Sequence, residues 1–233
     1  MRLHGYFRST ASWRVRIALN LKGVSAEHVF HHLRRGAQQS PEYVRLNPQG
    51  LVPTMETDDD RVITQSLAIC EWLDETLPQP PLLPGNPLER ARIRAFALAI
   101  ACDIHPVQNL KVLARLRSMS IAEGDVTAWA AWVIRDGLVA CAKLLDPQPG
   151  PFCFGSFPTL GRAAALQCPP LRLRSIRIAA FVSGGDRLSR LACFCKCIAR
   201  ASGRRRMRYV RNKESADVRF CQHQGLSGQD YFV

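Results

Sequence analysis

No apolar run in this 233-residue sequence is longer than the eight residues from Ala95 to Cys102. A membrane-spanning helix needs roughly 20, so no span is expected. The opening Met1-Arg2-Leu3-His4-Gly5 has no apolar stretch of the kind a secretory signal carries, and a cytoplasmic protein is the expectation. Before residue 160 the chain has no Gly-rich phosphate loop, no Cys-x-x-Cys pair and no His/Cys cluster at zinc spacing. Those absences argue against P-loop, dithiol redox and structural-zinc chemistry there. Acidic residues are scarce, 19 against 32 Lys and Arg, for a formal net charge of +13. That excess invites a nucleic-acid reading.

The excess is not spread evenly. Residues 1–160 carry 17 basic and 15 acidic side chains, while residues 161–233 carry 15 and 4. All four tryptophans precede the break, and five of nine cysteines follow it. Residues 1–160 therefore read as an ordinary globular region followed by a basic, Cys-rich tail. Cys70, Cys102, Cys141 and Cys153 lie among apolar neighbours, as buried reduced thiols do.

Leu3–Phe7, Glu27–His31, Val52–Glu56 and Arg61–Thr64 read as strands, the last two joined by the Asp58-Asp59-Asp60 turn. Ser12–Lys22 reads as a helix with Trp13, Ile17, Ala18 and Leu21 inward and Gly23 as its stop. Arg34–Gln49, with Gly36, Pro41 and Pro48, reads as a loop. Ser66–Leu77 reads as a helix with Leu67, Cys70, Leu73 and Leu77 inward. The order βαβ then ββα predicts a small α/β domain with a mixed sheet. A proline-rich linker from Pro78 to Pro87 precedes two long helices, about Leu88–Arg117 and Val126–Leu145. The expected division is 1–82, 88–160 and a tail, 161–233.

Ser9, Thr10 and Ser12 sit where the first strand meets the first helix. Hydroxyls there are either caps or, with the free N–H groups, a seat for an anion such as a thiolate. Gln65-Ser66 opens another helix, with Ser66 as a plain N-cap or a carboxylate site. Pro53 belongs at a strand's first residues or in a cis turn, which leaves the Val52 backbone free to pair with a peptide-like ligand. His105, before Pro106, reads by itself as a surface or satisfied core histidine. Trp13 reads as a packed aromatic beside two solvated or paired arginines, Arg14 and Arg16.

Together these stretches resemble the zeta class of glutathione transferases, the maleylacetoacetate and maleylpyruvate isomerases. The stretch Tyr6-Phe7-Arg8-Ser9-Thr10-Ala11-Ser12-Trp13-Arg14-Val15-Arg16-Ile17-Ala18-Leu19 resembles that class's signature, with Ala11 where many members have Cys. The likeness continues through Asn47-Pro48-Gln49-Gly50-Leu51-Val52-Pro53, Thr64-Gln65-Ser66-Leu67 and Cys102-Asp103-Ile104-His105-Pro106-Val107-Gln108-Asn109, to about residue 160.

The resemblance implies an α/β thioredoxin-like N-terminal domain, an all-α C-terminal domain and a homodimer. It also implies glutathione as cofactor. Ser9, with Thr10 beside it, would face the glutathione sulfur. Val52, with Pro53 cis, would pair with the cysteinyl unit. Gln65 and Ser66 would hold the γ-glutamyl carboxylate, and Gln38 would lie near the glycyl end. His105 and Asn109, on the first long helix, would reach across from the other domain. Arg8 is the candidate for the substrate's negative charge. The implied reaction is cis–trans isomerisation of an enone diacid by thiolate addition, rotation and elimination. Conjugation or dehalogenation by the same thiolate is the alternative.

After Pro158-Thr159-Leu160 the family continues with Ala-Asp, whose Asp closes a capping box on Thr159. Here Gly161-Arg162 follow. The spaced Cys193, Cys195 and Cys197 with His223 do not suit zinc, whose ligands pair as Cys-x₂₋₄-Cys. The tail's basic residues are scattered rather than interleaved with aromatics, so nucleic-acid binding is the weaker reading. A frameshift near codon 160 is the preferred one. It carries the expectation that residues 161–233 are not a folded part of the enzyme, that the long helices stay partly exposed, and that activity is low or absent.

Overall fold

The structure, a computed structural model, describes residues 1–145, 152–165, 207–209 and 220–222. The element order of the first half follows the sequence reading. Strands β1 (Arg2–Gly5), β2 (Glu27–Phe30), β3 (Thr54–Glu56) and β4 (Val62–Thr64) form a mixed sheet in the order β2-β1-β3-β4. β1 runs parallel to β2 and antiparallel to β3, and β3 is antiparallel to β4. Helix α1 (Thr10–Lys22) joins β1 to β2 and ends at Gly23, whose φ of 68° is the left-handed conformation that a side chain disfavours.

Three readings need correction. The inward face of α1 is not centred on Trp13 and Ile17, although Leu21 does pack, partly buried, against the core. It consists of Ala11, Ser12, Arg14, Val15, Ala18, Leu19 and Lys22, while Trp13 is 45% exposed beneath the Arg16 guanidinium. Two charged side chains on that face disguised it. Arg34–Gln49 is not all loop, because α2 (Pro41–Leu46) forms within it, capped by the Ser40 hydroxyl accepting from the Tyr43 N–H at 3.3 Å. And Leu88–Arg117 is not one helix. α4 (Pro87–Leu98) runs into a π-helical turn, Ala99–Ile104, then a 3₁₀ turn at Pro106–Gln108, before α5 (Leu110–Ser118). His105 itself keeps helical dihedrals (φ −64°, ψ −48°), but Pro106 has no N–H to carry the helical ladder on, and the chain tightens into the 3₁₀ turn there. α3 (Ser66–Thr76) and α6 (Glu123–Leu144) lie near their expected places.

One buried apolar cluster runs from Leu3, Val15, Met55 and Leu73 through Leu82 and Leu83 to Phe96, Ile104, Ile134, Leu138 and Leu160. Gly137 on α6 allows the π-helical turn close approach, since a Cβ there would meet Ile104 at 2.3 Å. The linker is tied down by ions. Lys22, with its side chain fully buried, donates to Asp74 Oδ1 at 2.6 Å, to the Leu77 carbonyl at 2.5 Å and to the Pro80 carbonyl at 2.7 Å. Asp74 also accepts from the N–H groups of Leu82 at 2.6 Å and Leu83 at 3.0 Å.

Helix α7 (Leu160–Ala165) begins despite the missing Asp and carries helical structure five residues past the composition break. Leu160, Gly161, Ala163 and Ala164 are buried. The Thr159 hydroxyl is buried and makes no hydrogen bond among the described residues. Leu88, Leu98, Leu110, Trp132 and Leu144 are exposed on the long helices. Of the later tail, β5 (Met207–Tyr209) pairs antiparallel with β6 (Phe220–Gln222). The frameshift reading and the Cys193–Cys197 cluster lie otherwise outside the described residues. Cys70 and Cys141 are buried and free, as expected, but Cys102 is exposed and Cys153 half-buried. No described helix is long and apolar enough to cross a membrane.

Candidate active site

Strand register gathers the candidate residues. His4 lies opposite Thr54, and Thr54 opposite Thr64. The end of β1, the start of β3 and the end of β4 therefore share one edge of the sheet, and parallel β2 ends there too. Ser9-Thr10 lies a few residues past β1, Val52-Pro53 immediately before β3, Gln65-Ser66 immediately after β4, and Gln38 in a 3₁₀ turn of the loop that leaves β2.

Ser9 caps α1, its Oγ accepting from the Ser12 N–H at 3.2 Å. A serine hydroxyl that accepts one bond still has a proton to donate, so capping and anion binding are compatible. The Thr10 Oγ1 is buried and without a partner among the described residues, as is the Gln38 Oε1. The Val52-Pro53 peptide is cis, and so is Gln79-Pro80, which the sequence reading did not anticipate. Val52 precedes the ladder, and its backbone makes no backbone hydrogen bond among the described residues. Around it, the Tyr43 hydroxyl donates to the Leu51 carbonyl at 2.7 Å, as does Asn47 Nδ2.

Gln65 holds φ 66°, ψ 116°, a backbone conformation that side-chain-bearing residues rarely adopt. Its Nε2 donates to Gln49 Oε1 at 2.9 Å. Ser66 is not the N-cap. It is the first helical residue, with Gln65 before it, and its buried hydroxyl accepts from Arg14 Nη1. Arg14 is thus neither solvated nor paired with a carboxylate; it is 1% exposed, behind Ser66. Sequence reasoning missed Arg14 and Gln49. The signal for Arg14 was its place between Ala11, Val15 and Ala18 at helical spacing.

His105 and Asn109 do not share a long helix. His105 closes the π-helical turn, and Asn109 caps α5, its side-chain oxygen accepting from the Val112 N–H at 3.1 Å. Burial, then the Arg14 charge, pushes the His105 pKa down to about 4. Arg8 is exposed on the turn before α1.

Acid should therefore destabilise the fold through His105. Its folded pKa lies below the ordinary 6.5, so the unfolded chain takes the proton first as pH falls. The stabilisation is complete above pH 6.5 and lost towards pH 4, amounting to about 3 kcal/mol at most. Urea midpoints at neutral and acid pH should show this dependence reduced in His105→Gln; an unchanged dependence assigns it elsewhere.

A thioredoxin-like sheet followed by helices, with a hydroxyl at the α1 N-terminus and a cis proline opposite, defines a glutathione-transferase fold. Residues 8–76 match the glutathione S-transferase N-terminal domain family. Maleylacetoacetate isomerase of Pseudomonas aeruginosa is 44% identical over 162 residues, 69% of this chain and 76% of that protein. A solved maleylpyruvate isomerase, a bacterial glutathione transferase of the zeta class, superposes with a TM-score of 0.70 at 39% identity, over 76% of this chain and 82% of that one. The maleylacetoacetate isomerase of Methylobacterium extorquens AM1, solved with malonate and glutathione, gives 0.72 at 32% identity, over 86% and 95%. The chain belongs to the zeta-class glutathione transferase family of maleylacetoacetate and maleylpyruvate isomerases.

Proposed function

We propose that this chain is a glutathione-dependent cis–trans isomerase of a short enone diacid, converting maleylacetoacetate to fumarylacetoacetate, with maleylpyruvate the second candidate substrate. The observation that carries the proposal is the set of unclaimed polar groups at one sheet edge. They are the Ser9 hydroxyl proton, the Val52 backbone and the strained Gln65-Ser66 corner. This set fits a peptide-like thiol with carboxylates at its ends.

Glutathione, when bound, supplies a thiolate that adds reversibly to the double bond and so permits its rotation. The chain's own groups do the rest. The α1 N-terminus and the Ser9 proton favour the ionised sulfur, with Thr10 beside it. Val52 pairs its N–H and C=O with the cysteinyl unit, Gln65 and Ser66 hold the γ-glutamyl carboxylate, and Gln38 meets the glycyl end. His105, kept neutral, and Asn109 reach in from the helical region. Arg8 offers a positive charge to the substrate's carboxylates and to the developing enolate.

The same reading divides the chain into a glutathione-binding domain at 1–82, a helical domain at 88–160 and a basic tail, and makes it a cytoplasmic homodimer. It also places a limit on turnover. The family resemblance implies an arginine for the substrate carboxylate beyond the helix that starts at residue 160, and the sequence after that helix offers no match for it.

Two measurements test this. Loss of the cis substrate should require glutathione and stop without it. Ser66→Ala should weaken glutathione binding by about 1–3 kcal/mol in calorimetry, since a charged partner loses its hydrogen bond. Equal binding by the variant removes Ser66 from the site.

A further inference from the structure

Arg14 is the least compensated charge among the described residues. It lies 1% exposed on the inward face of α1. Only one of its nitrogens, Nη1, makes a hydrogen bond, and the acceptor is the uncharged hydroxyl of Ser66; Nε and Nη2 have no partner among the described residues. No described carboxylate forms an ion pair with it. The neighbouring Cys70 thiol is no counter-ion, because burial pushes its pKa up to about 12. Burial draws the guanidinium down to about 10, which leaves it charged at neutral pH.

A buried cation without a counter-charge is unfavourable unless something restores the balance. The unpaired nitrogens are closed to solvent, so a ligand does not reach them directly. Ser66 is the route outward. With one lone pair of its oxygen taken by Arg14, its single proton is left to donate. An acceptor in line with that proton lies on the far side of Ser66 from a full positive charge.

The geometry points to Arg14 as the positioning residue for the anionic end of the ligand. It orients the Ser66 hydroxyl outward and supplies, from behind it, the charge that selects a carboxylate. The inference rests on the proposed glutathione site and deepens it. The γ-glutamyl α-carboxylate is recognised by a buried charge relayed through a neutral hydroxyl, with no surface cation touching it. Recognition of that carboxylate is then less sensitive to salt than a surface ion pair, because a buried charge is little screened.

The experiment is calorimetric titration of the full chain, Arg14→Met and Arg14→Lys with two ligands. These are glutathione and an analogue with hydrogen in place of the glutamyl α-carboxylate. Wild type should prefer glutathione by about tenfold or more, in keeping with a charge-assisted hydrogen bond. Arg14→Met should erase the preference by weakening glutathione alone, and Arg14→Lys should restore part of it. Ser66→Ala should cost clearly less when added to Arg14→Lys than it costs in the wild type, because the two act in series.

A preference unchanged in either variant overturns the role of Arg14, as does equal weakening of both ligands, which marks a packing role. If Arg14→Met does not fold, the preference measured in Arg14→Lys decides alone. A wild-type chain that binds neither ligand overturns the glutathione site itself, and the two failures are thereby distinguished.

Discussion

Asp74→Ala is expected to destabilise the chain by about 3–5 kcal/mol, the range for removing one partner of a buried ion pair. Asp74 is 11% exposed at its side chain, and Lys22 is fully buried. The substitution leaves the Lys22 ammonium with two carbonyls and no negative charge. It also strips the Leu82 and Leu83 N–H groups of their acceptor. Those two residues belong to the cluster that joins the sheet side to the helices. A loss this size is a large part of the roughly 5–15 kcal/mol that holds a domain together. Chemical denaturation is the measurement. A change under about 1 kcal/mol, the range of exposed ion pairs, shows that the linker is not anchored there.

Ser9→Ala is expected to lower turnover by roughly a hundredfold, the lower end for deleting one preorganised donor to a developing negative charge. Thr10→Ala should cost less. Both hydroxyls sit at the α1 N-terminus, but Ser9 alone is fixed by a hydrogen bond, to the Ser12 N–H. That bond holds the Ser9 oxygen in place and leaves its proton to turn toward the sulfur, and the Thr10 oxygen lacks such an anchor among the described residues. Ser9→Ala also removes a helix cap, worth about 1 kcal/mol. The two losses are read separately, the cap in the denaturation midpoint and the donor in the ultraviolet absorbance of bound thiolate. A larger effect from Thr10→Ala assigns the sulfur to the other hydroxyl.

The succession of strands and helices in the first half was legible because each segment is short and bounded by turn residues. The α1 face was not. Ile17 and Leu21 keep helical spacing with Trp13, but Arg14 and Lys22 occupy the buried side, and charge in a pattern reads as surface. α2 was hidden by Pro41, although Ser40, Pro41 and Glu42 are also the residues that start a helix. The break at His105-Pro106 was masked by apolar periodicity on both sides.

Of the candidate site residues, Ser9, Val52-Pro53, Gln65 and Ser66 were legible as motif positions, and strand register explains why they lie at one end of the sheet. The positive φ of Gln65 and the bond from Arg14 to Ser66 were not, because both depend on how α3 is held against α1. Sequence pattern records periodicity within an element. It does not record which buried polar group meets which across two of them.

The central claim is that the sheet edge binds glutathione, and one titration tests it most directly. The full chain is titrated by calorimetry with glutathione at low and moderate salt, beside a DNA duplex under the same conditions. The account predicts glutathione binding that is weakened in Ser66→Ala and little changed by salt. It is contradicted by a chain that takes up no glutathione but binds the duplex with an affinity falling steeply as salt rises, the signature of phosphate contacts made by the basic tail.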